Sequence, residues 1–401
     1  MDIIKKIITF FFGEYSISRI SRVLHRIKSH KKRIVSTVNY SLISCGHHSS
    51  CGYYDHNPIN SGILLLVSYD GRMKKINNCL VDIYNKSKSM VVRSSVCNWQ
   101  QANRLMWIGT NRFIYNDFIN GKYVSIENKN GSNLIHKFPI YDSTDKIAVS
   151  VDFERIAFFR PGYGYTKLNR IETMNESSVA LTVFDLLGDS IIRQITYHEI
   201  LDKIDRTINI NNCYINHVSF APDKESFLFF LCEKTNESHF CALMLWRNGI
   251  VYCIENLLSA SHYAWRDNNT ILATCYTTER KCGYYLYDLA NQTKEIVLKD
   301  SLNIDGHPTF IDRFTFITDT YPDKAGYQKL LLVDMKNGRV NELISLYSTS
   351  RHMGEKRCDL HPRFSSDNNL VILDADVRGK RKVYLVNIRE KLSELKCDQH
   401  E

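Results

Sequence analysis

Short apolar runs separated by polar turns recur along most of the chain. Residues 63–68, 227–231 and 314–318 are rich in Ile, Leu, Val and Phe, and Gly, Asn and Asp are frequent between such runs. Runs of about four to eight residues of this kind are typical of buried β-strands. Helix-like patterns occur at residues 3–12 and 196–208. The pattern therefore predicts an all-β protein with little helix.

A phrase that contains a histidine recurs ahead of four of these runs. The histidines are His217, His262, His307 and His361, at intervals of 45, 45 and 54 residues. Periods of about 40 to 50 residues with several short strands are typical of β-propellers. Similar starts near residues 52, 99 and 139 bring the number to seven. The sequence thus predicts a seven-bladed β-propeller.

The predicted propeller occupies residues 41–392, between an N-terminal arm at residues 1–40 and a C-terminal tail at residues 393–401. The interval from 139 to 217 is too long for one blade. We therefore expect an insertion at about residues 160–210 over one face, where loops that form sites tend to lie. An eighth, degenerate blade is the alternative. No low-complexity linker divides the chain, which favours one domain after the arm.

The basic residues are concentrated in the arm. Residues 1–33 carry nine Lys and Arg against Asp2 and Glu14, a balance of +7 in a chain of formal net charge +9. Ile and Phe side chains form a stripe opposite Lys5 and Lys6, which predicts a short basic helical arm. Such an arm fits peripheral contact with an anionic membrane. A solvated arm, or one packed on a partner, is the alternative.

Other classes of protein are disfavoured. No apolar run of about 18 residues predicts a transmembrane helix, so we expect a cytoplasmic protein, with membrane association through the arm as one of the two alternatives for that segment. The basic residues lack a nucleic-acid-binding signature, and no nucleic-acid partner is expected. Twelve cysteines are scattered without a C-x-x-C pair. Because disulfide frameworks are typical of short secreted chains, reduced thiols are predicted.

The recurring histidines point to a shared site. Equivalent positions of successive blades converge on the axis of a propeller, so four imidazoles would lie on one side of its funnel. Asp305, Asp359 and Arg363 would lie beside them. Imidazole with carboxylate suits Mn, Fe or Zn, and a nearby Asp would orient a ligand histidine. The alternative is structural, with Asp–His hydrogen bonds that tie adjacent blades together.

The last histidine lies in a segment that is predicted to enter a strand. Side chains alternate between the two faces of a strand. Asp359, His361 and Arg363 would then share one face, and Leu360 and Phe364 would lie on the other.

Eight sequence elements resemble those of a known family. They are Gly52-Tyr53-Tyr54-Asp55, Arg160-Pro161-Gly162-Tyr163-Gly164-Tyr165, Asn216-His217, Ser261-His262-Tyr263, Asp305-Gly306-His307-Pro308, Asp319-Thr320-Tyr321-Pro322-Asp323, Asp359-Leu360-His361-Pro362-Arg363 and Gly379-Lys380-Arg381. Over residues 45–390 the series resembles bacterial β-propeller proteins of surface-polysaccharide loci, related to the oligogalacturonate lyases. The resemblance implies a propeller with a divalent metal, typically manganese, on histidines in the funnel. It also implies cleavage of uronate-containing oligosaccharides by β-elimination.

The resemblance suggests roles for individual residues. The expected ligands of manganese or another divalent metal are His262, His307 and His361. Elimination requires that the uronate carboxylate is neutralised, that the C5 proton is removed and that the leaving oxygen is protonated. The expected catalytic residues are Arg363 for the carboxylate, His217 as the base, and Tyr263 or Tyr321 as the proton donor.

An acidic oligo- or polysaccharide is the expected partner. Aromatic rings stack on sugars, and the Arg guanidinium binds carboxylates with two parallel hydrogen bonds. The candidate substrate-binding residues are Trp99, Gln100, Arg160, Tyr163, Tyr165, Asp319 and Arg381. Packing of core residues and of a Gly-rich loop is the alternative explanation for them.

The sequence therefore predicts a lyase-like propeller that acts on a uronate-containing bacterial polysaccharide by metal-assisted β-elimination. The alternative is a non-catalytic glycan-binding or scaffold propeller in capsule or O-antigen biosynthesis. A glycosyltransferase is a third hypothesis, but no nucleotide-sugar site is recognisable. The sequence has no P-loop, G-x-G-x-x-G or G-x-S-x-G motif, so kinase and serine hydrolase activities are not expected.

Overall fold

Seven antiparallel sheets form the blades of a β-propeller. The computed structural model describes residues 34–349 and 352–397. The predicted seven-bladed fold is confirmed. The predicted helical arm falls on residues 1–33, which lie outside the described residues.

The strands are numbered in chain order, and two short ones precede the first blade: β1 (Ile34–Ser36) and β2 (Asn39–Ile43). Blade 1 contains β3 (His48–Ser50), β4 (Ile59–Asn60), β5 (Ile63–Tyr69), β6 (Ile76–Asp82) and β7 (Lys88–Ser94). Blade 2 contains β8 (Met106–Gly109), β9 (Arg112–Ile119), β10 (Lys122–Lys129) and β11 (Ser132–His136). Blade 3 contains β12 (Asp142–Ser143), β13 (Ile147–Ser150), β14 (Val179–Asp185) and β15 (Ile191–Thr196).

The second half of the ring is more regular. Blade 4 contains β16 (Cys213–Phe220), β17 (Phe227–Lys234), β18 (His239–Arg247) and β19 (Ile250–Glu255). Blade 5 contains β20 (Ser259–Asp267), β21 (Thr270–Tyr276), β22 (Cys282–Asp288) and β23 (Thr293–Val297). Blade 6 contains β24 (Thr309–Phe310), β25 (Thr315–Asp319), β26 (Tyr327–Asp334) and β27 (Arg339–Tyr347). Blade 7 contains β28 (Arg363–Ser365), β29 (Leu370–Val377) and β30 (Lys380–Asn387).

The two N-terminal strands complete the last two blades. β2 pairs with β30 and is the fourth strand of blade 7, while β1 pairs with β27 at the edge of blade 6. This pairing joins the beginning of the described chain to its end and closes the ring. Residues 34–40, which the sequence placed in the arm, thus belong to the propeller sheets.

The middle strands of the blades are buried on both faces. Residues 227–232 of β17 and residues 371–376 of β29 are buried without interruption, because each blade is covered by its neighbours. Residues 191–194 of the outer strand β15 are exposed. Continuous apolar runs in the sequence therefore correspond to strands between two blades.

An insertion in blade 3 lies between β13 and β14. It begins with α1 (Phe153–Phe159), and the Asp152 side chain caps it by accepting a hydrogen bond from the backbone of Arg155. The buried Arg155 guanidinium donates to two backbone carbonyls just before blade 4. A Cβ at Gly164 would lie 2.0 Å from the carbonyl oxygen of Phe153, so glycine permits this close approach. These contacts hold the segment after α1 against the ring.

Two further helices and three 3₁₀ turns complete the described part of the chain. α2 (Tyr197–Leu201) follows β15, so the helix predicted at residues 196–208 is confirmed over its first part. α3 (Arg389–Cys397) follows β30 and occupies the beginning of the predicted tail. The 3₁₀ turns are Ile210–Asn212, Gly354–Lys356 and Ser366–Asn368. In the described part of the chain, none of the helices has the length and apolar character needed to span a membrane.

Two details differ from the sequence predictions. β28 begins only at Arg363, and His361 has a left-handed backbone with φ of 46°, so the predicted alternation of faces from Asp359 to Arg363 is wrong. Pro362 has no backbone N–H to add to a strand ladder. Cys232 and Cys241 form a disulfide, so the prediction of reduced thiols is wrong for this pair. The nine other described cysteines with placed side chains are free.

Candidate active site

The four recurring histidines meet at the centre of the ring. The ring centroids of His262 and His307 are 3.9 Å apart, and those of His307 and His361 are 4.5 Å apart. His217 lies 5.9 Å from His262 by the same measure. Blades 4 to 7 thus each contribute one imidazole to a continuous cluster, as the spacing predicted.

Irregular backbone directs these side chains inward. His217 and His262 lie at register shifts of β16 and β20, and β-bulges of this kind change the direction of a side chain. His217 and His361 have positive φ of 52° and 46°, which is uncommon for residues other than glycine and clusters at functional sites. A Cβ at Gly306 would lie 2.0 Å from the backbone oxygen of Asp319. Glycine before His307 is therefore required by the packing.

Two carboxylates orient the histidines from behind. Asp319 accepts a hydrogen bond from the backbone of His307, and its two oxygens lie 2.8 and 3.0 Å from Nδ1 of the same residue. It also accepts from the backbone N–H of His361 at 3.1 Å. Asp305 lies 3.1 Å from Nδ1 of His262. Asp319, predicted to bind substrate, thus lies behind the imidazoles and fixes the orientation of His307.

A group of buried ligand atoms has no hydrogen-bond partner among the described residues. The atoms are Nε2 of His307, both ring nitrogens of His361 and Oδ1 of Asp359. One ligand atom from each of these three residues lies within 4.8 Å of the others. Two imidazoles and one carboxylate are a ligand set typical of divalent transition metals. We call His307, Asp359 and His361 the central triad.

The predicted metal ligands were His262, His307 and His361, whereas the group found contains Asp359 in place of His262. His262 instead uses Nδ1 toward Asp305 and lines the adjacent cavity. The sequence placed Asp359 beside the histidines, but the expected metal ligands did not include it. The left-handed turn at His361 brings Asp359 to the same side as His307.

Burial sets the protonation of the imidazoles. It lowers the pKa of His217 and of His361 well below the usual value. Burial also lowers the pKa of His262, and His307 adds to this effect. At His307 burial opposes the charged form, but the adjacent Asp319 outweighs it and raises the pKa. His217, His262 and His361 are therefore neutral near pH 7, as ligands and general bases need to be.

A cavity of about 800 Å³ is lined by His217 and His262, whereas His307, Asp359 and His361 are not among the residues that line it. Its wall includes His217, Arg160, Tyr163, Tyr321 and Arg357. The guanidinium carbons of the two arginines lie 5.3 and 5.5 Å from the centre of the Tyr163 ring. This wall thus presents cations and aromatic rings side by side, a combination that binds acidic sugars.

Arg357 was not predicted from the sequence. Its Nε donates to Asp359 at 2.7 Å, and its guanidinium also lies 5.8 Å from the Tyr321 ring centre. Its backbone carbonyl accepts from Gln100 at 2.9 Å and from Arg381 at 2.6 Å. Gln100 and Arg381, predicted to bind substrate, thus contact the segment that carries Arg357. The only sequence signal for Arg357 is a cation two residues before Asp359.

Several other predicted residues lie away from the cavity or use their polar groups in the fold. Arg363 is fully buried and donates to backbone carbonyls of blade 1. The Tyr263 hydroxyl donates to the carbonyls of His217 and Leu228. Tyr165 is buried with its hydroxyl near Asn116, and Trp99 lines a separate surface cavity. Of the two tyrosines proposed as proton donors, Tyr321 is the one that lines the main cavity.

The propeller is similar to solved structures of known enzymes. Its fold resembles that of oligogalacturonate lyase. The chain matches an oligogalacturonate lyase in complex with manganese with a TM-score of 0.60 and 13% identity, covering 90% of this chain and 99% of that one. The oligogalacturonate lyase from Vibrio parahaemolyticus gives a TM-score of 0.59 at 13% identity, with the same coverage. The tricorn protease gives 0.53 at 8% identity, covering 90% of this chain and 34% of that one.

The likeness to oligogalacturonate lyase is one of fold. No family model matches the chain, and no curated protein matches it in sequence. The manganese belongs to that lyase, but the donor set of the central triad fits a divalent metal on its own chemistry. Other buried polar atoms of the described residues also lack partners, but the triad brings ligand atoms of three residues within 4.8 Å of one another.

Proposed function

We propose that this protein is a lyase-like propeller that cleaves a uronate-containing oligo- or polysaccharide by metal-assisted β-elimination. The observation that carries the proposal is the central triad, in which His307 Nε2, both ring nitrogens of His361 and Asp359 Oδ1 have no hydrogen-bond partner in the described structure. The cavity beside the triad is lined by Arg160 and Arg357. The fold shared with oligogalacturonate lyase supports the same reaction class. Manganese is the metal we propose.

The central triad would hold the divalent ion, which when bound supplies positive charge for a substrate carboxylate. Arg357 and Arg160 would supply the rest of this charge, since a guanidinium matches the geometry of a carboxylate. Arg357 also donates to Asp359, so substrate binding and the triad share one side chain. We assign to Arg357 the role that the sequence suggested for Arg363.

His217 is our proposed base. Its Nε2 lies 3.0 Å from the Tyr53 hydroxyl, and its Nδ1 has no hydrogen-bond partner among the residues described. In the tautomer whose Nε2–H donates to Tyr53, Nδ1 carries the lone pair that accepts the C5 proton. The lowered pKa of His217, which results from burial, keeps the imidazole neutral and ready to act as a base.

Tyr321 is our proposed proton donor to the leaving oxygen. Burial raises its pKa well above the usual value, so the phenol is protonated at neutral pH. It lines the cavity with Arg357, whereas the Tyr263 hydroxyl donates to backbone carbonyls. Tyr321→Phe removes only the hydroxyl and should abolish turnover without loss of bound sugar.

The test combines metal content with product analysis. Protein purified with Mn²⁺ should retain one ion per chain, and oligogalacturonate should yield unsaturated products that absorb in the ultraviolet. Arg357→Gln should lose turnover but retain the metal, whereas the surface variant Arg193→Gln is the matched control. Retention of metal without product from any of a panel of acidic polysaccharides would contradict the lyase proposal.

A non-catalytic glycan-binding propeller in surface-polysaccharide assembly is the second candidate. The pairing of cationic and aromatic side chains in the cavity wall favours it, because this wall requires no metal to bind an acidic sugar. Binding of oligogalacturonate without turnover, weakened in Arg357→Gln, would support this candidate over the lyase.

A further inference from the structure

A second group of metal-ligand side chains lies in the wall of the same cavity. Cys232 on β17 and Cys241 on β18 are directly opposite each other across the two strands. His239 lies two residues before Cys241 on β18 and therefore on the same face of the sheet. All three line the cavity of about 800 Å³, so solutes that enter the cavity reach them.

The ligand atoms of these residues converge. One sulfur or nitrogen atom from each of Cys232, His239 and Cys241 lies within 4.8 Å of the other two. Nε2 of His239 lies 3.6 Å from Sγ of Cys241. The Tyr214 hydroxyl lies 2.7 Å from the same Nε2 and donates to it when this nitrogen is unprotonated. This hydrogen bond occupies the Nε2 lone pair, so a metal that binds Nε2 takes the place of the Tyr214 O–H.

The sulfur atoms are joined as a disulfide in the structure. A disulfide between directly opposite strand residues is accessible to a dithiol reductant only if it reaches solvent, and the cavity provides this route. Reduction takes two electrons and two protons from the dithiol, which itself becomes a disulfide, and leaves two thiols at the same positions. Arg160 and Lys234 line this part of the cavity, and nearby cations favour thiolates.

We propose that the reduced form binds a thiophilic divalent cation, such as Zn²⁺, through Cys232, His239 and Cys241. The two thiols release two protons as the metal binds. Two sulfurs and one imidazole are a ligand set of zinc sites that leave the fourth position open, and the Tyr214 hydroxyl or a solvent molecule is placed to fill it. A small-molecule disulfide that accepts two electrons and two protons, and becomes two thiols, restores the Cys232–Cys241 bond and releases the cation. This site is separate from the central triad, which has no sulfur ligand.

Cobalt distinguishes the two sites. The full-length protein, reduced with a dithiol and then separated from it without air, should bind Co²⁺ with sulfur-to-cobalt charge-transfer absorption and the visible bands of a tetrahedral ion. The sulfur-to-cobalt band should disappear in Cys232→Ser. In His239→Ala the affinity of the protein for Co²⁺ should fall at least about tenfold. It should persist in His361→Asn, which alters the central triad, and in Cys253→Ser, a matched control on β19.

Further measurements keep the test decisive. Circular dichroism of each variant shows whether it is folded, and re-oxidation of the reduced protein should release the cobalt that carries the sulfur signature. Absence of a sulfur-to-cobalt band in folded, reduced protein would overturn the proposal. An unchanged band in both Cys232→Ser and Cys241→Ser would also overturn it, as would a disulfide that is reduced only on unfolding.

Discussion

Two buried groups of polar side chains, the Asp55–Arg104–Tyr141 network and the central triad, differ in whether their own hydrogen bonds are completed. On the side of blades 1 to 3, Arg104 donates to the Asp55 carboxylate at 2.8 Å and to the carbonyl of Tyr141 at 2.6 Å. The Tyr141 hydroxyl donates to Asn216 at 2.8 Å. On the side of blades 4 to 7, the central triad leaves nitrogens and a carboxylate oxygen without partners in the described structure.

The difference separates a stabilising network from a ligand site. A buried polar atom without a partner costs about 1–3 kcal/mol of folding free energy, whereas a completed network offsets its desolvation. The Asp55–Arg104–Tyr141 network therefore holds the ring together. On our proposal, the central triad weakens the metal-free fold and gains its partners from the metal. Substitutions on the two sides should then have opposite effects on stability and metal binding.

The largest effect is expected for Arg104→Ala. It leaves the Asp55 carboxylate buried without its cation, and the loss of one partner of a buried pair costs about 3–5 kcal/mol. Urea denaturation should show this decrease in the free energy of unfolding. Arg193→Ala removes an arginine whose pair with Glu199 is exposed and should cost at most about 1 kcal/mol. Equal effects of the two substitutions would contradict the contrast between the two regions.

His361→Asn should lower metal affinity and leave the stability of the metal-free protein nearly unchanged. Asn tolerates the left-handed backbone of this position, so the substitution removes the imidazole without new strain. We expect Mn²⁺ affinity to fall more than about 100-fold, while the free energy of unfolding of the metal-free protein changes by less than about 1 kcal/mol. Isothermal titration and urea denaturation measure the two quantities. His198→Asn, on the surface, is the control, and a stability loss without a change in affinity would contradict the ligand role.

Asp319→Asn tests whether the carboxylate that orients His307 and His361 contributes to metal affinity. Asp319 fixes His307 through Nδ1 and accepts from the backbone of His361. Loss of such an orienting carboxylate lowers metal affinity by about 10–100-fold. Asp312 in the same blade also accepts two backbone hydrogen bonds, but in an exposed turn. Asp312→Asn should leave metal affinity unchanged, so a similar loss in both variants would assign the effect to folding.

The sequence predicted most of the fold and part of the site. The histidine spacing placed blades 4 to 7 because one inner strand recurs in each repeat. The role of Asp359 could not be predicted, since it depends on the left-handed turn at His361. Arg357 precedes the strand entry and reaches the site through a turn that has no sequence repeat. The Cys232–Cys241 bond depends on the register of one hairpin, which apolar periodicity does not fix.

The closure of the ring by β2 could not be predicted from the sequence either. β2 pairs with β30 over a sequence separation of at least 340 residues, and nothing in residues 39–43 distinguishes a closing strand from an arm. The basic character of residues 1–33 directed the prediction toward a separate arm. Local composition thus concealed a strand whose role depends on a distant partner.

The smallest effect is a pH dependence at the edge of the completed network. Nε2 of His56 lies 2.5 Å from Oδ1 of Asp142. Burial opposes the charged imidazole, but Asp142 outweighs it and raises the pKa of His56. Because the pKa of His56 is higher in the folded state, its charged form stabilises the fold. This stabilisation is complete when the pH is below the pKa of histidine in the unfolded chain, about 6.5. This stabilisation is lost as the pH rises through the folded pKa.

His56→Gln removes the titrating group. It should therefore lower the free energy of unfolding most at pH values near or below the unfolded pKa. The difference in free energy of unfolding between the natural protein and the variant should shrink as the pH rises from about 6.5. Urea denaturation at a series of pH values measures it, with the surface variant His198→Gln as the matched control. A difference that stays constant with pH would mean that His56 contributes by packing and not by charge. Metal affinity should be the same in both proteins, because the described hydrogen bonds of the Asp142 carboxylate go to His56, Ser143 and Phe220 and not to the central triad.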